Sequence, residues 1–216
     1  MDKLLCPSMM CADLKYLSTE IQALEEAGTD IFHCDVMDGT FVPNFALGLS
    51  DIASIRKSTD KLVDVHLMVE NPAQKVDWFI DAGADIIYIH PEAERYVVKT
   101  LAHIKDRGKL AGIAINPDTS LETVEEMIGS CDYVLIMTVN PGFAGQKFQD
   151  FTVNKIKKIE ALKNEYHFKT VIDGACSPDV IKKMSDMGVN GFVLGTSALF
   201  GKNKSYKECF EELRAL

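Results

Sequence analysis

No stretch of this chain approaches the roughly 18 consecutive apolar residues that cross a bilayer, and its first residues lack the basic-then-apolar pattern of a secretion signal. A protein that is neither membrane-spanning nor secreted is expected, with the cytoplasm as its compartment. The six cysteines, at 6, 11, 34, 131, 176 and 209, include no CxxC pair. Several lie in apolar runs, so they read as reduced core residues rather than disulfide clips. Positive charge is not in excess either: 23 Lys and Arg against 32 Asp and Glu give a formal net charge of −9. That argues against a nucleic-acid or anionic-membrane surface, and it leaves an anionic substrate to be held by local donors. Linkers and low-complexity segments are absent. The 216 residues therefore read as one domain, 1–216, long enough for an α/β barrel and too short for two ordinary cores.

What is present is one unit repeated eight times. Apolar runs near 4–10, 31–38, 62–69, 86–90, 110–116, 133–139, 169–173 and 191–195 read as strands. Helical patterns near 13–27, 49–58, 73–81, 94–107, 120–128, 150–164, 178–187 and 204–215 lie between and after them. Asn71-Pro72 and Ser177-Pro178 read as an N-cap followed by proline at the first helical position. Gly28, Gly83, Gly108 and Gly188 close four helices where a left-handed residue is commonly needed. Three of them fall in nearly repeated phrases: Ala27-Gly28-Thr29-Asp30, Ala82-Gly83-Ala84-Asp85 and Met187-Gly188-Val189-Asn190. Strict alternation with short links implies a parallel sheet, and eight units imply a single (β/α)8 TIM barrel. An open doubly wound sheet is the alternative.

Four metal-capable side chains stand out in the apolar runs: His33 and Asp35 in IFHCDVMD, His66 in LVDVHLMV and Asp173 in KTVIDGA. A charge in such a run is costly unless something pairs with it. Alternation puts His33, Asp35 and Met37 on one side of their strand, and Asp64, His66 and Met68 on one side of the next. In a barrel the active site sits at the C-terminal ends of the strands. Any one of these residues alone reads as a satisfied core histidine or a capping aspartate. Four at equivalent positions read as a site for one divalent ion, with Zn²⁺ first and Fe²⁺, Mn²⁺, Co²⁺ or Mg²⁺ as alternatives. Three glycine-containing loops form a second constellation: Gly142-Phe143-Ala144-Gly145, Gly174-Ala175 after Asp173, and Gly195-Thr196-Ser197. Small residues let backbone N–H groups turn inward around an anion, and the loops after strands seven and eight are the recurrent phosphate site of such barrels. Met37, Met68 and Met137 face the same mouth, as plain packing or as a dry lining.

The chain resembles the ribulose-phosphate 3-epimerase family over nearly its whole length. The motifs that carry the resemblance are Pro7-Ser8-Met9-Met10 with Ala12-Asp13-Leu14, His33-Cys34-Asp35-Val36-Met37-Asp38-Gly39, Phe41-Val42-Pro43-Asn44 and Asp64-Val65-His66-Leu67-Met68-Val69. They continue with His90-Pro91-Glu92, Asn140-Pro141-Gly142-Phe143 and Asp173-Gly174. The resemblance implies metal ligation by His33, Asp35, His66 and Asp173, with Asp35 and Asp173 doubling as base and acid. It implies substrate contacts from Ser8, His66 and the three loops, and it implies a homo-oligomer. Epimerisation beside a ketone removes a proton from one face and returns it on the other, which two carboxylates can do. The resemblance implies an enediolate between the two steps, whose developing charge a bound divalent ion would stabilise.

Departures bear on the substrate. The commoner ribulose-phosphate pattern has a second glycine at Ala144 and Gly-Gly at Gly174-Ala175, here followed by Cys176. Met10-Cys11, Met137-Thr138-Val139 and the run from Gly195 to Phe200 look like the branch that converts D-allulose 6-phosphate to D-fructose 6-phosphate. That hexose reading is the favoured one, with D-ribulose 5-phosphate to D-xylulose 5-phosphate as the alternative. A decarboxylase or aldol-type lyase would carry an Asp-x-Lys-x-x-Asp run, and Asp64-Val65-His66-Leu67-Met68-Val69 has no lysine. A non-catalytic sugar-phosphate binder would not need all four metal-site residues. Asp38, Asn44 and Glu92 are read as support for the site or its loops, and His90 either as a residue behind the ligands or as plain packing at a strand end. Residues 39–48 read either as a lid, with Phe41 and Phe45 shielding the substrate, or equally as an ordinarily packed loop. Trp78 is read as core or interface, and His103 and His167 as surface residues.

Overall fold

A computed structural model describes residues 3–216. Eight parallel strands alternate with eight helices along the chain: β1 Leu4–Pro7, α1 Leu17–Ala27, β2 Ile31–Met37, α2 Leu49–Lys57, β3 Leu62–Met68, α3 Val76–Ala82, β4 Ile86–Ile89, α4 Val97–Asp106, β5 Leu110–Ile115, α5 Leu121–Ile128, β6 Tyr133–Met137, α6 Thr152–Leu162, β7 Lys169–Asp173, α7 Pro178–Ser185, β8 Gly191–Leu194 and α8 Tyr206–Ala215. The sheet runs β1-β8-β7-β6-β5-β4-β3-β2. A parallel bridge from Ser8 to His33 brings its two ends together, giving a single (β/α)8 TIM barrel.

The repeated phrases explain how the strands start. Each glycine takes a left-handed φ, between +103° and +108°, which ends the preceding helix at little steric cost. The following N–H turns back to the helix: Thr29 to Leu24 O, Ala84 to Phe79 O and Val189 to Met184 O. The side chain that closes each phrase then accepts from the preceding strand: Asp30 from Leu5 N, Asp85 from Val63 N and Asn190 from Thr170 N. Asp132 does the same for Ala111 N without the glycine phrase. Strand register is thus pinned at the end of the barrel opposite the site.

Most of the core lies between sheet and helices, built from residues such as Leu24, Phe32, Ile55, Val65, Ile87, Leu101, Ile136, Ile159 and Phe210. A smaller group, including Cys6, Ile86, Tyr88, Tyr133 and Leu135, fills the barrel interior. Tyr88 requires a glycine on its neighbouring strand, because a Cβ at Gly112 would lie 2.6 Å from Tyr88 Cδ1 and 2.8 Å from Tyr133 O.

Ser177 caps α7 as its sequence implies, accepting from Val180 N. Asn71 does not cap a helix. It adopts φ +49° ahead of a 3-10 turn, Pro72–Gln74, makes no side-chain cap bond, and α3 starts only at Val76. Helix α1 is likewise preceded by a separate turn at Leu14–Tyr16, capped by Asp13. Trp78 is 54 % exposed and so is not a core residue.

Candidate active site

The β2–β3 register sets His33 beside Asp64 and Asp35 beside His66, with Asp173 ending β7. All five lie at or just below the C-terminal mouth, and burial is nearly complete for His33, Asp35, Asp64 and His66. The four predicted ligands converge, each offering one atom within 4.8 Å of every other. His33 Nε2 lies 3.3 Å from Asp35 Oδ1 and 3.9 Å from Asp173 Oδ2. His66 Nδ1 lies 3.2 Å from Asp35 Oδ1 and 3.7 Å from Asp173 Oδ2. Bonds of about 2.1 Å to a tetrahedral ion place neighbouring ligand atoms about 3.4 Å apart. The observed separations bracket that figure, and two imidazoles with two carboxylates suit a divalent ion. These residues fit the group.

Both histidines are supported from behind. His33 Nδ1 is 2.6 Å from Asp64 Oδ1, and His66 Nε2 is 2.8 Å from His90 Nε2. Ser8 donates its hydroxyl to Asp35 Oδ2 at 2.9 Å, which fixes that carboxylate's other oxygen.

Electrostatics separate the two aspartates. Burial by itself would raise Asp35, but the charge and hydrogen bonding of His33, joined by His66, hold it far below the usual carboxylate range. Asp173 is pushed up to about 7, first by burial and then by the negative charge of Asp35. Burial pushes His66 down to about 4 despite its bond to Asp35. Burial also opposes a charge on His33, yet Asp64 and Asp35 together raise it well above its ordinary value. The same surroundings therefore drive the two carboxyls in opposite directions, Asp35 towards the ionised form and Asp173 towards the protonated one.

Above this floor lies a cavity of about 570 Å³, including its open mouth. Ser8, Asp35, Asp173 and four methionines (Met10, Met37, Met68 and Met137) line it, together with Gly142, Phe143, Ala144, Gly145, Gly174, Ala175, Gly195, Thr196 and Ser197. The three loops thus meet around one space. Its described lining contains no Lys or Arg, so an anion there depends on backbone N–H groups and hydroxyls. Gly142, Gly145, Gly174 and Ala175 all have positive φ, the conformation that turns successive N–H groups to one side.

The 39–48 segment is tied down differently from its expected shielding role. Asn44 donates to Gly142 O at 2.7 Å, joining this loop to the β6 loop. Asp38 accepts from Thr40 N, Phe41 N and Glu70 N. Phe45 is 75 % exposed, and its ring covers Gly39 instead of the cavity. Phe41 stacks on His90 at 4.7 Å between ring centres. Phe143, from the β6 loop, is the aromatic that lines the cavity. Alternation places Asp64 on the same strand face as His66, but its contact with His33 across strands is not readable from the sequence.

The Ribulose-phosphate 3 epimerase family model matches residues 4–200. Ribulose-phosphate 3-epimerase from Bacillus subtilis (strain 168) is 38 % identical over 211 residues, 96 % of each chain. The enzyme of that name from Synechocystis sp. (strain ATCC 27184 / PCC 6803 / Kazusa) is 40 % identical over 212 residues, 96 % of this chain and 91 % of the relative. Among solved structures, 3-keto-L-gulonate-6-phosphate decarboxylase from Vibrio cholerae O1 biovar El Tor str. N16961 superposes with a TM-score of 0.73, covering 100 % of this chain and 97 % of that one. At 14 % identity that likeness is one of fold alone.

Proposed function

This chain belongs to the ribulose-phosphate 3-epimerase family, and from that premise we propose that it interconverts D-ribulose 5-phosphate and D-xylulose 5-phosphate through two-aspartate proton transfer at C3. The observation that carries the chemistry is geometric: Asp35 and Asp173 converge with His33 and His66, each offering an atom within 4.8 Å of the others, and both carboxylates line the floor of one cavity. Two carboxylates at one cavity floor can serve as base and acid towards the same carbon, one taking a proton and the other returning one.

Asp35, ionised and oriented by Ser8, takes the C3 proton, and Asp173 returns one to the opposite face. The roles exchange in the reverse direction. His33, Asp35, His66 and Asp173 would hold a divalent ion, Zn²⁺ first among the candidates for a mixed nitrogen and oxygen set. When bound, that ion supplies a Lewis acid that offsets negative charge developing on the substrate oxygens. Ser8, which lines the cavity, contacts the sugar, whereas His66, fully buried and outside the cavity lining, acts through the cation site alone. Gly142, Phe143, Ala144, Gly145, Gly174, Ala175, Gly195, Thr196 and Ser197 cradle the phosphate, and Met37, Met68 and Met137 keep the reacting carbons dry. Self-association into a homo-oligomer belongs to the same reading.

The relatives bear the pentose name, so the pentose displaces the hexose as the first reading of the substrate. The loop residues keep D-allulose 6-phosphate to D-fructose 6-phosphate as the second. Ala175 stands at φ +50°, a left-handed conformation that costs a residue with a Cβ about 1–2 kcal/mol. Its methyl lines the cavity where a glycine would leave space. The test is kcat/KM of the metal-replete protein on D-ribulose 5-phosphate and D-allulose 6-phosphate side by side. Preference for the pentose supports the first reading, preference for the hexose supports the second, and turnover of neither overturns both.

A further inference from the structure

The two ligand histidines face the four-residue cluster through different ring nitrogens. His33 uses Nε2 and His66 uses Nδ1. A neutral imidazole carries one proton, so it can offer a lone pair to a cation only if that proton sits on its other nitrogen. For His33 the partner is Asp64, 2.6 Å from Nδ1. For His66 it is another imidazole, His90, whose Nε2 lies 2.8 Å from His66 Nε2. Two nitrogens at that distance share one hydrogen, and nothing in the pair itself decides which ring supplies it.

Glu92 decides it. Its Oε2 lies 3.3 Å from His90 Nδ1. Its Oε1 accepts from Asn116 N–H at 3.1 Å and from the Thr119 hydroxyl. Burial opposes a charge on Glu92, but the bond to His90 and then the Thr119 contact pull its carboxyl down to about 2. An ionised carboxylate has no proton to give, so His90 carries its proton on Nδ1. With that hydrogen on Nδ1, His90 Nε2 is the acceptor of the imidazole pair, and the shared hydrogen comes from His66 Nε2. His66 Nδ1 is left with its lone pair towards Asp35 and Asp173. His90 is fully buried under the Phe41 ring, which keeps water from offering it another partner.

We propose that Glu92 and His90 are positioning residues, forming a carboxylate–imidazole–imidazole relay that fixes His66 as the tautomer able to hold a divalent cation. This rests on the metal-dependent reading of the site. Outer partners of this kind commonly change metal affinity by about 10–100-fold when removed.

The test uses metal-stripped protein, with Co²⁺ and Zn²⁺ affinities read by chelator competition and the His66 ring nitrogens read by ¹H–¹⁵N correlation. Glu92→Gln is nearly isosteric, but it must turn an NH₂ towards either His90 or Asn116 N–H. It is expected to bind Co²⁺ and Zn²⁺ about 10–100-fold more weakly and to move the His66 proton from Nε2 towards Nδ1. His90→Gln keeps an acceptor for His66 and should retain more affinity than His90→Leu, which has none. Wild-type affinity in all three variants, or equal losses in His90→Gln and His90→Leu, would overturn the relay. The outcome is independent of turnover: failure of the epimerase reading would appear as wild-type protein that binds metal and converts neither sugar phosphate.

Discussion

Metal uptake by this site should expel protons in a number set by Asp173. At pH 6 a carboxyl titrating at about 7 is about 90 % protonated, and at pH 8 about 10 %. His33, raised well above its ordinary value, also carries a proton that must leave Nε2 before that nitrogen can ligate. His66, at about 4, is already neutral. The part of the release that comes from Asp173 should then be about 0.9 proton at pH 6 and about 0.1 at pH 8. Each proton released weakens apparent affinity about tenfold per pH unit of acidification. Asp173→Asn removes the carboxyl, so release at pH 6 should fall by about 0.9 proton while release at pH 8 hardly changes. Titration calorimetry of Zn²⁺ binding in two buffers of different ionisation enthalpy counts these protons directly. Equal release at the two pH values in the wild type, or an unchanged count at pH 6 in Asp173→Asn, would refute the assignment of the raised pKa to Asp173.

Asp35→Asn should fold normally by circular dichroism and lose about 10²–10⁴-fold in kcat, the usual contribution of a positioned base. Gly174→Ala forces a side chain into φ +116° and sets its Cβ 2.6 Å from Val139 Cγ2 and 2.9 Å from Val139 N. Strain and overpacking together should cost about 3 kcal/mol, seen as a Tm lower by about 6–12 °C in a thermal melt. Asn44→Ala removes the 2.7 Å tie to Gly142 O. Loss of about 1 kcal/mol of loop ordering should raise KM about fivefold while leaving kcat nearly constant in steady-state assays.

The barrel and its four converging ligands were legible because both depend on short-range regularities. Alternation along β2 and β3 fixes which residues face inward, and the repeated glycine phrases mark where helices stop and strands begin. Features that depend on closure of the barrel were not legible. Which nitrogen of His33 or His66 faces the cluster follows from rotamers chosen against neighbouring strands. The contacts of Glu92 with Asn116 and Thr119 join loops 24 and 27 residues apart. Asn71-Pro72 carries a sequence signature of a helix start, but Asn71 turns left-handed there and only a single turn forms before α3. Phe45 looked like a shield because aromatics beside a site commonly pack inward; the tie from Asn44 to Gly142 instead leaves its ring over Gly39.

The central claim is that one aspartate removes the C3 proton and the other returns a different one. Early-time conversion of D-ribulose 5-phosphate in D₂O, followed by proton NMR and mass spectrometry, tests it most directly. Transfer between two carboxylates predicts that the first D-xylulose 5-phosphate formed carries one deuterium at C3 while the remaining substrate carries none. Product that keeps its original hydrogen at C3 would mean that a single group carries the proton across, and would contradict the two-aspartate account.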